Sequence, residues 1–228
     1  AFQREFPKRT FDVGIAEEHA VSMAGGLAKQ GMIPVVTLYS TFLQRGFDQI
    51  MQDTALLHLH VVFAIDRAGL VGDDGPTHHG VFDIGFLKQM PGMRILNPVS
   101  LAEQKDMLRW AVEDYDGPVA IRYPRGTEGS YKNSGWQGLN GGLVRRHREG
   151  GDVALITYGS TLDNVLAAAE ALEKQGIGAC VLRLLSVWPL PAEELTACLG
   201  DIPQAVVVEE TASGSGIQES LGWALGEI

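Results

Sequence analysis

Residues 11–20 read FDVGIAEEHA, a short apolar segment that runs directly into an acidic helix start. The pattern predicts a β-strand over residues 11–13 and a helix that begins at the acidic pair Glu17 and Glu18. In open α/β folds, ligands bind at the carboxyl edge of the sheet, where strands give way to helices. Glu17 is therefore a candidate ligand-binding group, although an acidic pair in a first turn also suits a purely structural role, favourable interaction with the helix dipole.

Outward from this stretch, apolar segments alternate with amphipathic helical segments, which is typical of a parallel sheet covered by helices on both faces. The spacing of Leu43, Phe47 and Ile50 predicts a helix that extends to Leu57 and is buried on one side. Further helices are expected after the capping box of residues 100–103, over 160–175, from Pro191 onward, and after residues 214–216. The predicted strands are 11–13, 34–38, 61–65, 94–96, 119–122, 153–158, 179–184 and 205–209.

The segment 126–151 is rich in Gly, Ser and Asn and predicts a connector with one short strand. We therefore expect an open, mostly parallel α/β domain over residues 1–126, a linker over 127–151, and a smaller α/β domain over 152–228. The chain lacks an initiator Met, and its last residues fall within a predicted helix without a C-cap. From these two features we expect a fragment with a truncated second domain.

Composition argues against several classes of function. The formal net charge of -10 and the pI near 5.0 leave no basic surface for nucleic acid. The two cysteines, Cys180 and Cys198, lack the spacing of a disulfide framework or a zinc site. No apolar run reaches the roughly 18 residues that a membrane helix needs, and the N-terminal residues lack the basic patch and apolar stretch typical of a signal peptide. We expect a cytoplasmic protein that contacts neither nucleic acid nor membrane.

Polar and aromatic side chains follow the next two predicted strands. Residues 39–45, YSTFLQR, come after the second strand, where Phe42 could offer an aromatic face and Tyr39 a hydroxyl group. Phe42 is equally suited to pack as a hydrophobic staple for the following helix. The third strand leads to Asp66 and Arg67, and the guanidinium of Arg67 suits a carboxylate or phosphate ligand. A surface ion pair between these two residues is the structural alternative.

The loop 70–81 concentrates groups that can carry chemistry, including Asp74 and His78. Its two acids and two histidines could also suggest a metal site, but they lack the helical spacing of a typical zinc pair. At the end of the fifth predicted strand, Arg122 and Arg125 flank a tyrosine and a proline. Two arginines at a strand end suit an anionic phosphate, and a solvated basic pair is the alternative.

Taken together, these residues resemble the 1-deoxy-D-xylulose-5-phosphate synthase family of transketolase-like thiamine diphosphate enzymes. The spacing between the matching stretches agrees as well, so the resemblance covers essentially the whole chain. The stretches that carry it are residues 12–20, 39–45 and 66–72, the positions Asp74, Gly75, Thr77 and His78, and residues 122–126.

The resemblance implies a thiamine diphosphate-binding pyrimidine domain followed by a transketolase C-terminal domain. It implies a condensation of pyruvate, with decarboxylation, and D-glyceraldehyde 3-phosphate. By matching position, Glu17 would hydrogen-bond N1′ of the cofactor's aminopyrimidine and so help the cofactor lose its thiazolium C2 proton. Phe42 would stack on the pyrimidine, and His78 would join Glu17 as a catalytic group. The substrate-binding positions would be Tyr39, Arg67, Asp74, His78 and Arg125.

The resemblance also implies Mg²⁺ and a homodimer. The family binds Mg²⁺ and the cofactor's diphosphate mainly through an N-terminal domain with a Gly-Asp-Gly motif followed by Asn, which this chain lacks. No residue is therefore assigned to metal, and we expect the isolated chain to be inactive. Glu18, Asp73, Pro76 and His79 depart from the usual family residues, which affects the expected substrate contacts. Two alternatives remain open: a C-terminal subunit of a split transketolase and a non-catalytic interaction module of the same fold.

Overall fold

The computed structural model describes residues 2–129, 136 and 138–226. Its strands form a five-stranded sheet of order β1-β2-β4-β3-β8 and a four-stranded sheet of order β5-β7-β6-β9. The strands are β1 Val35–Tyr39, β2 Val62–Asp66, β3 Arg94–Leu96, β4 Val119–Arg122, β5 Val144–Arg148, β6 Val153–Thr157, β7 Ala179–Leu184, β8 Ser186–Trp188 and β9 Ala205–Val208.

Helices flank both sheets. The α-helices are α1 Phe2–Glu5, α2 Glu17–Lys29, α3 Ser40–Leu43, α4 Phe47–Gln49, α5 Asp83–Leu87, α6 Leu101–Glu113, α7 Leu162–Glu173, α8 Ala192–Leu199 and α9 Gln218–Gly226. Short 3₁₀ turns cover Pro7–Arg9, Gln44–Gly46, Pro76–His78, Leu139–Gly141 and Gly159–Thr161, and a π-helical segment covers Ile50–Ala55. Within the described residues, none of these helices has the length and apolar character needed to span a membrane.

The first sheet is parallel except at one edge. β1, β2, β4 and β3 run parallel to one another, whereas β8 pairs antiparallel with β3. Every residue of β4 is buried, as are the first four of β2, because the strands are covered on both faces. The carboxyl ends of β1, β2 and β4 consequently meet at one edge of the sheet, and the residues that follow them lie close together.

The second sheet is also largely parallel, with β6 between β7 and β9 and with β5 antiparallel to β7. The mixed α/β architecture predicted from the sequence is confirmed. The short strand expected within 126–151 is present as β5, although it belongs to the second sheet. β8 was not predicted. Its pairing with β3 places a strand from the second half of the chain in the first sheet.

A buried ion pair connects the two halves of the chain. Arg183 on β7 donates two hydrogen bonds to Glu103 on α6, at 2.8 and 2.9 Å, and the two side chains are 1% and 0% exposed. Ser100 caps α6 by accepting a hydrogen bond from the Glu103 amide, as the capping box predicts. The Glu103 carboxylate also accepts a hydrogen bond from the Val99 amide. The Glu103 carboxylate thus stabilises the start of α6 and also links α6 to β7 of the second sheet.

Two predicted elements differ in the structure. The strand predicted over residues 11–13 is wrong, because Gly14 donates to the Asp12 side chain at 2.9 Å and adopts a φ of 71°. This local turn competes with strand pairing, and Phe11 stays 60% exposed. The single helix predicted over residues 43–57 is helical but broken into 3₁₀, α and π segments. Close packing of Gly46 against Val21 of α2 accompanies this irregular geometry.

Candidate active site

Glu17 is the first residue of α2 and is buried, with 5% of its surface exposed. Its neighbour Glu18 is exposed, so the two acids of the first turn have different environments. Arg45 donates a hydrogen bond to Glu17 Oε1 at 2.9 Å. The Glu17 carboxylate therefore points into the protein, toward the segment that follows β1, and not toward bulk water.

Phe42 lies next to this ion pair. The guanidinium carbon of Arg45 is 4.9 Å from the Phe42 ring centroid. Tyr39 stacks with Phe42 at a centroid distance of 5.8 Å, and His78 meets the Phe42 ring edge-on at 5.3 Å. Phe42 consequently connects Glu17, through Arg45, with the loop that carries His78.

Arg67 and Arg125 converge on one carboxylate. Arg67 donates from Nε to Asp74 Oδ2 at 3.2 Å, and Arg125 donates to Asp74 Oδ1 at 2.8 Å. The guanidinium of Arg67 also lies 3.7 Å from the Tyr39 ring centroid. Because both arginines contact the same side chain, their charges lie within a few ångströms of one another. Two convergent guanidinium groups suit an anion, and in this structure the Asp74 carboxylate occupies that position.

The backbone of Arg67 is unusual, since its φ of 59° lies in the left-handed region. For a non-glycine residue this conformation costs about 1–2 kcal/mol. Asp66 offsets part of that cost by accepting hydrogen bonds from the Arg67 amide at 2.7 Å and from its guanidinium at 2.6 Å. The turn directs Arg67 back over Tyr39. The ion pair between Asp66 and Arg67, which the sequence offered as the structural alternative, is present in the structure.

The loop histidines have different surroundings. His78 ends the 3₁₀ turn Pro76–His78 and is hydrogen-bonded to the Thr77 hydroxyl at 3.0 Å. Thr41 of α3 in turn donates to the Thr77 carbonyl at 3.2 Å. His79 accepts a hydrogen bond from the Val71 amide, which gives it a structural role in the loop. Within the described residues, no group of three His, Cys, Asp or Glu side chains is placed to hold a metal ion.

The residue pattern alone did not separate the two arginines of residues 122–126, whereas the family resemblance selected Arg125 for the substrate side. Arg122 is only 4% exposed, and it makes a bidentate ion pair with the fully buried Asp83 at 2.7 and 2.9 Å. It also donates to Asn97 and to the Gly80 carbonyl. Burial acts against the charged guanidinium, but the Asp83 carboxylate outweighs this effect, and the pKa of Arg122 is raised. Arg122 is thus a structural support for the loop, and Arg125 alone of the two reaches the site.

Asp83 and Asn97 are the residues that sequence analysis missed. Asn97 directly follows β3, a position that could have been recognised because polar residues after parallel strands lie at the ligand-binding edge. No local pattern identifies Asp83, since an acidic residue at the start of a short helix has an ordinary explanation. Next to this network, a cavity of about 300 Å³ lies between the two halves of the chain and reaches Arg125.

Family models match most of the chain. The transketolase pyrimidine binding domain matches residues 1–128, and the transketolase C-terminal domain matches residues 142–227. The chain therefore belongs to the transketolase family, with the pyrimidine-binding domain followed by the C-terminal domain. This confirms the fold class that the sequence predicts.

Among curated relatives, the chain is similar to 1-deoxy-D-xylulose-5-phosphate synthases. It is 46% identical to synthase 1 of Geobacter sulfurreducens over 94% of this chain and 34% of that protein. It is 45% identical to the synthase of Chlorobium luteolum over 95% of this chain and 34% of that protein, and 43% identical to that of Gloeobacter violaceus over 96% and 35%. The resemblance read from the motifs is confirmed. The chain spans about a third of the length of these relatives.

Two solved structures are also similar. The first is a split-gene transketolase described as an inactive β4 tetramer, with a TM-score of 0.88, 28% identity, and coverage of 99% of this chain and 73% of that chain. The second is a transketolase R356L mutant from Pichia stipitis in complex with fructose 6-phosphate, with a TM-score of 0.68, 19% identity, and coverage of 78% and 27%. The second likeness concerns the fold alone.

Proposed function

We propose that this chain binds the aminopyrimidine of thiamine diphosphate and the acceptor substrate in a transferase of the 1-deoxy-D-xylulose-5-phosphate synthase type. The reaction would condense pyruvate, with loss of carbon dioxide, and D-glyceraldehyde 3-phosphate. One observation carries the proposal: the buried Glu17 carboxylate lies in a connected set of contacts with Phe42 and His78. The identity of the curated relatives supports the choice of reaction.

The residues present fit an aminopyrimidine. Glu17 offers a buried carboxylate that can hold a proton at a ring nitrogen, and Phe42 offers an aromatic face for stacking. Arg45 contacts both groups and so links the Glu17 carboxylate to the Phe42 ring. Bound thiamine diphosphate would supply the nucleophilic carbon that adds to the 2-oxo acid. His78, whose ring meets the Phe42 ring edge-on, would handle a proton or hydroxyl of the substrate.

The acceptor would bind at the convergent arginines. Arg67 and Arg125 would contact the phosphate of D-glyceraldehyde 3-phosphate, which would replace the Asp74 carboxylate that both arginines now contact. Asp74, released from the two guanidinium groups, would bind a substrate hydroxyl. The hydroxyl of Tyr39, whose ring lies under Arg67, would complete the polar contacts. These roles divide the site into a cofactor side at Glu17 and an acceptor side at Asp74.

The remaining requirements of such an enzyme are also proposals. Because this chain spans about a third of its relatives' length, we assign Mg²⁺ and the cofactor's diphosphate to another part of the protein. The isolated chain should then bind the cofactor weakly and lack activity. Calorimetric titration of the isolated chain with thiamine diphosphate and Mg²⁺ tests this, and tight magnesium-dependent binding would contradict it. We further propose a homodimer in the cytoplasm.

The experiment that tests the proposed function compares Glu17→Gln with Glu18→Gln in the full-length natural protein. Both substitutions remove one negative charge from the first turn of α2, so they have similar effects on the helix dipole. Only Glu17 is buried beside Phe42 and Arg45. We expect Glu17→Gln to lower kcat by at least about a hundredfold, which is typical for loss of one polar contact at a reacting centre, and Glu18→Gln to change it less than about twofold. Equal rates in the two variants would refute the proposal and favour a non-catalytic module.

A split transketolase is the second candidate. The split-gene structure covers 99% of this chain, which is consistent with a free-standing subunit that needs a separate partner chain. Affinity purification of the chain from its native source distinguishes the two candidates. The split enzyme would be favoured if a second polypeptide with the Gly-Asp-Gly motif were recovered and the complex used ketose phosphates as donor substrates. Activity with pyruvate and D-glyceraldehyde 3-phosphate in one continuous polypeptide would favour the synthase.

A further inference from the structure

The loop of residues 69–80 carries Asp74 and His78 and is closed by its own backbone. Gly69 and Gly80 exchange both main-chain hydrogen bonds, at 2.9 and 2.8 Å. Gly80 also accepts a hydrogen bond from Arg122. The two ends of the loop therefore meet at a fixed point above the carboxyl edge of the first sheet.

A segment of the second half of the chain holds both ends of this loop. The Leu70 amide donates to Glu210 Oε2 at 3.2 Å, and the Ala212 amide donates to the Val81 carbonyl at 2.9 Å. A third contact follows at Lys88, whose ammonium donates to the Gly216 carbonyl at 3.0 Å. Residues 210–216 thus run along the loop and the helix that follows it.

The Glu210 carboxylate packs directly against Gly69. A Cβ atom built on Gly69 would overlap the Glu210 carboxylate, so the absence of a side chain at residue 69 permits this approach. Gly69 also has a φ of 81°, which favours glycine. On the other side, Glu209 fixes the segment by accepting hydrogen bonds from the Tyr158 hydroxyl at 2.6 Å and from the Ile217 amide at 3.0 Å. Glu210 is consequently held in place by its own neighbours while it contacts the loop.

We propose that Glu210 is a positioning residue: it accepts the Leu70 amide hydrogen and thereby sets the position of the loop that presents Asp74 and His78. The second half of the chain would in this way control acceptor binding without touching the substrate. The inference about acceptor binding rests on the proposed function, whereas the inference about the order of the loop does not.

The test uses three variants of the full-length natural protein. Glu210→Ala removes the carboxylate that accepts the Leu70 amide hydrogen. Glu210→Asp keeps the negative charge but shortens the side chain by one methylene group. Glu210→Gln removes the charge but keeps a hydrogen-bond-accepting oxygen at the same distance from the backbone. Glu219→Ala on α9, an exposed acidic residue, is the control. Hydrogen exchange of peptides covering residues 68–81 reports the order of the loop, and steady-state kinetics report KM for the phosphorylated aldehyde separately from kcat.

We expect Glu210→Ala and Glu210→Asp to raise exchange in the loop by about tenfold and KM for the acceptor by a similar factor, with kcat changed less. Glu210→Gln should restore both values to within about threefold of the wild type. Glu210→Gln changes the charge but not the side-chain length, whereas Glu210→Asp changes the length but not the charge. Comparing these two variants therefore tests the proposal even if Glu210→Ala does not fold. The proposal would be overturned if loop exchange in Glu210→Asp equalled that of the wild type. It would also be overturned if Glu210→Asp and Glu210→Gln raised loop exchange and KM by the same factor.

The kinetic and exchange results also separate this proposal from the proposed function. Raised loop exchange with an unchanged KM for the phosphorylated aldehyde would overturn the control of substrate binding by Glu210, while supporting its effect on the order of the loop. A protein that shows no turnover with D-glyceraldehyde 3-phosphate in the wild type would refute the proposed reaction, while the exchange comparison would still test the contact between Glu210 and the loop.

Discussion

Glu103→Gln should destabilise the protein strongly, because it leaves the Arg183 guanidinium buried without its anionic partner. The wild-type pair has two hydrogen bonds of 2.8 and 2.9 Å, and the Arg183 side chain is only 1% exposed. Removing one partner of such a buried pair typically costs about 3–5 kcal/mol. At about 2–4 °C per kcal/mol for a chain of this size, the expected fall in Tm is roughly 6–20 °C.

The matched control for this prediction is Glu149→Gln. Glu149 pairs with Arg146 at 2.9 Å, but its side chain is 84% exposed, so the substitution should cost less than about 1 kcal/mol. Urea unfolding followed by tryptophan fluorescence measures both variants. The double variant Glu103→Leu/Arg183→Met should recover at least half of the stability lost in Glu103→Gln, since it removes the unpaired charge as well. A Glu103→Gln cost that matches the Glu149→Gln cost would refute the reasoning.

Two further predictions concern the acceptor side and the second sheet. Arg125→Ala should raise KM for the phosphorylated acceptor by about ten- to a hundredfold with a smaller change in kcat, because it removes a charged hydrogen-bond donor. The control is Arg148→Ala at the end of β5, where Arg148 pairs with Glu173. An equal KM in the two variants would contradict the assignment. Burial, together with the charge of Arg183, lowers the pKa of His147 from 6.5 to about 4. The unfolded chain therefore takes up this proton first, and stability present above about pH 6.5 should be lost as the pH falls toward 4. His147→Gln should flatten that part of the stability profile, and an NMR titration that gives an ordinary imidazole pKa for His147 would show the prediction to be wrong.

Regular elements with strong local patterns were predictable from the sequence. β3, β4 and β7 occur at the predicted residues, and Ser100 caps α6 as its capping box indicates. The strand predicted at residues 11–13 is wrong, because a pattern of only three apolar or polar residues is weak evidence for a strand when a local turn forms at Asp12 and Gly14. β8 was missed for a similar reason, since its pairing with β3 depends on contacts far apart in the chain.

In the candidate site, too, positions set by local pattern were predictable and contacts between distant residues were not. The sequence placed Tyr39, Phe42, Arg67 and Asp74 after strands that end at one edge, and the structure brings these residues into contact. The family resemblance selected Glu17 rather than Glu18, whereas the local pattern gives both the same place in an acidic first turn, because their different burial arises from how α2 packs. The contact between Glu210 and Leu70 was equally inaccessible, since it joins residues 140 positions apart and depends on the absence of a side chain at residue 69.

The proposed function depends on the Glu17 carboxylate, which would hydrogen-bond a ring nitrogen of the cofactor and so promote loss of the thiazolium C2 proton. The most direct measurement is the rate of hydrogen–deuterium exchange at C2 of thiamine diphosphate bound to the full-length natural protein, for Glu17→Gln and Glu18→Gln. We expect Glu17→Gln to slow this exchange by about a hundredfold or more and Glu18→Gln to leave it within about twofold of the wild type. Exchange at the wild-type rate in Glu17→Gln, with the cofactor fully bound, would contradict the claim.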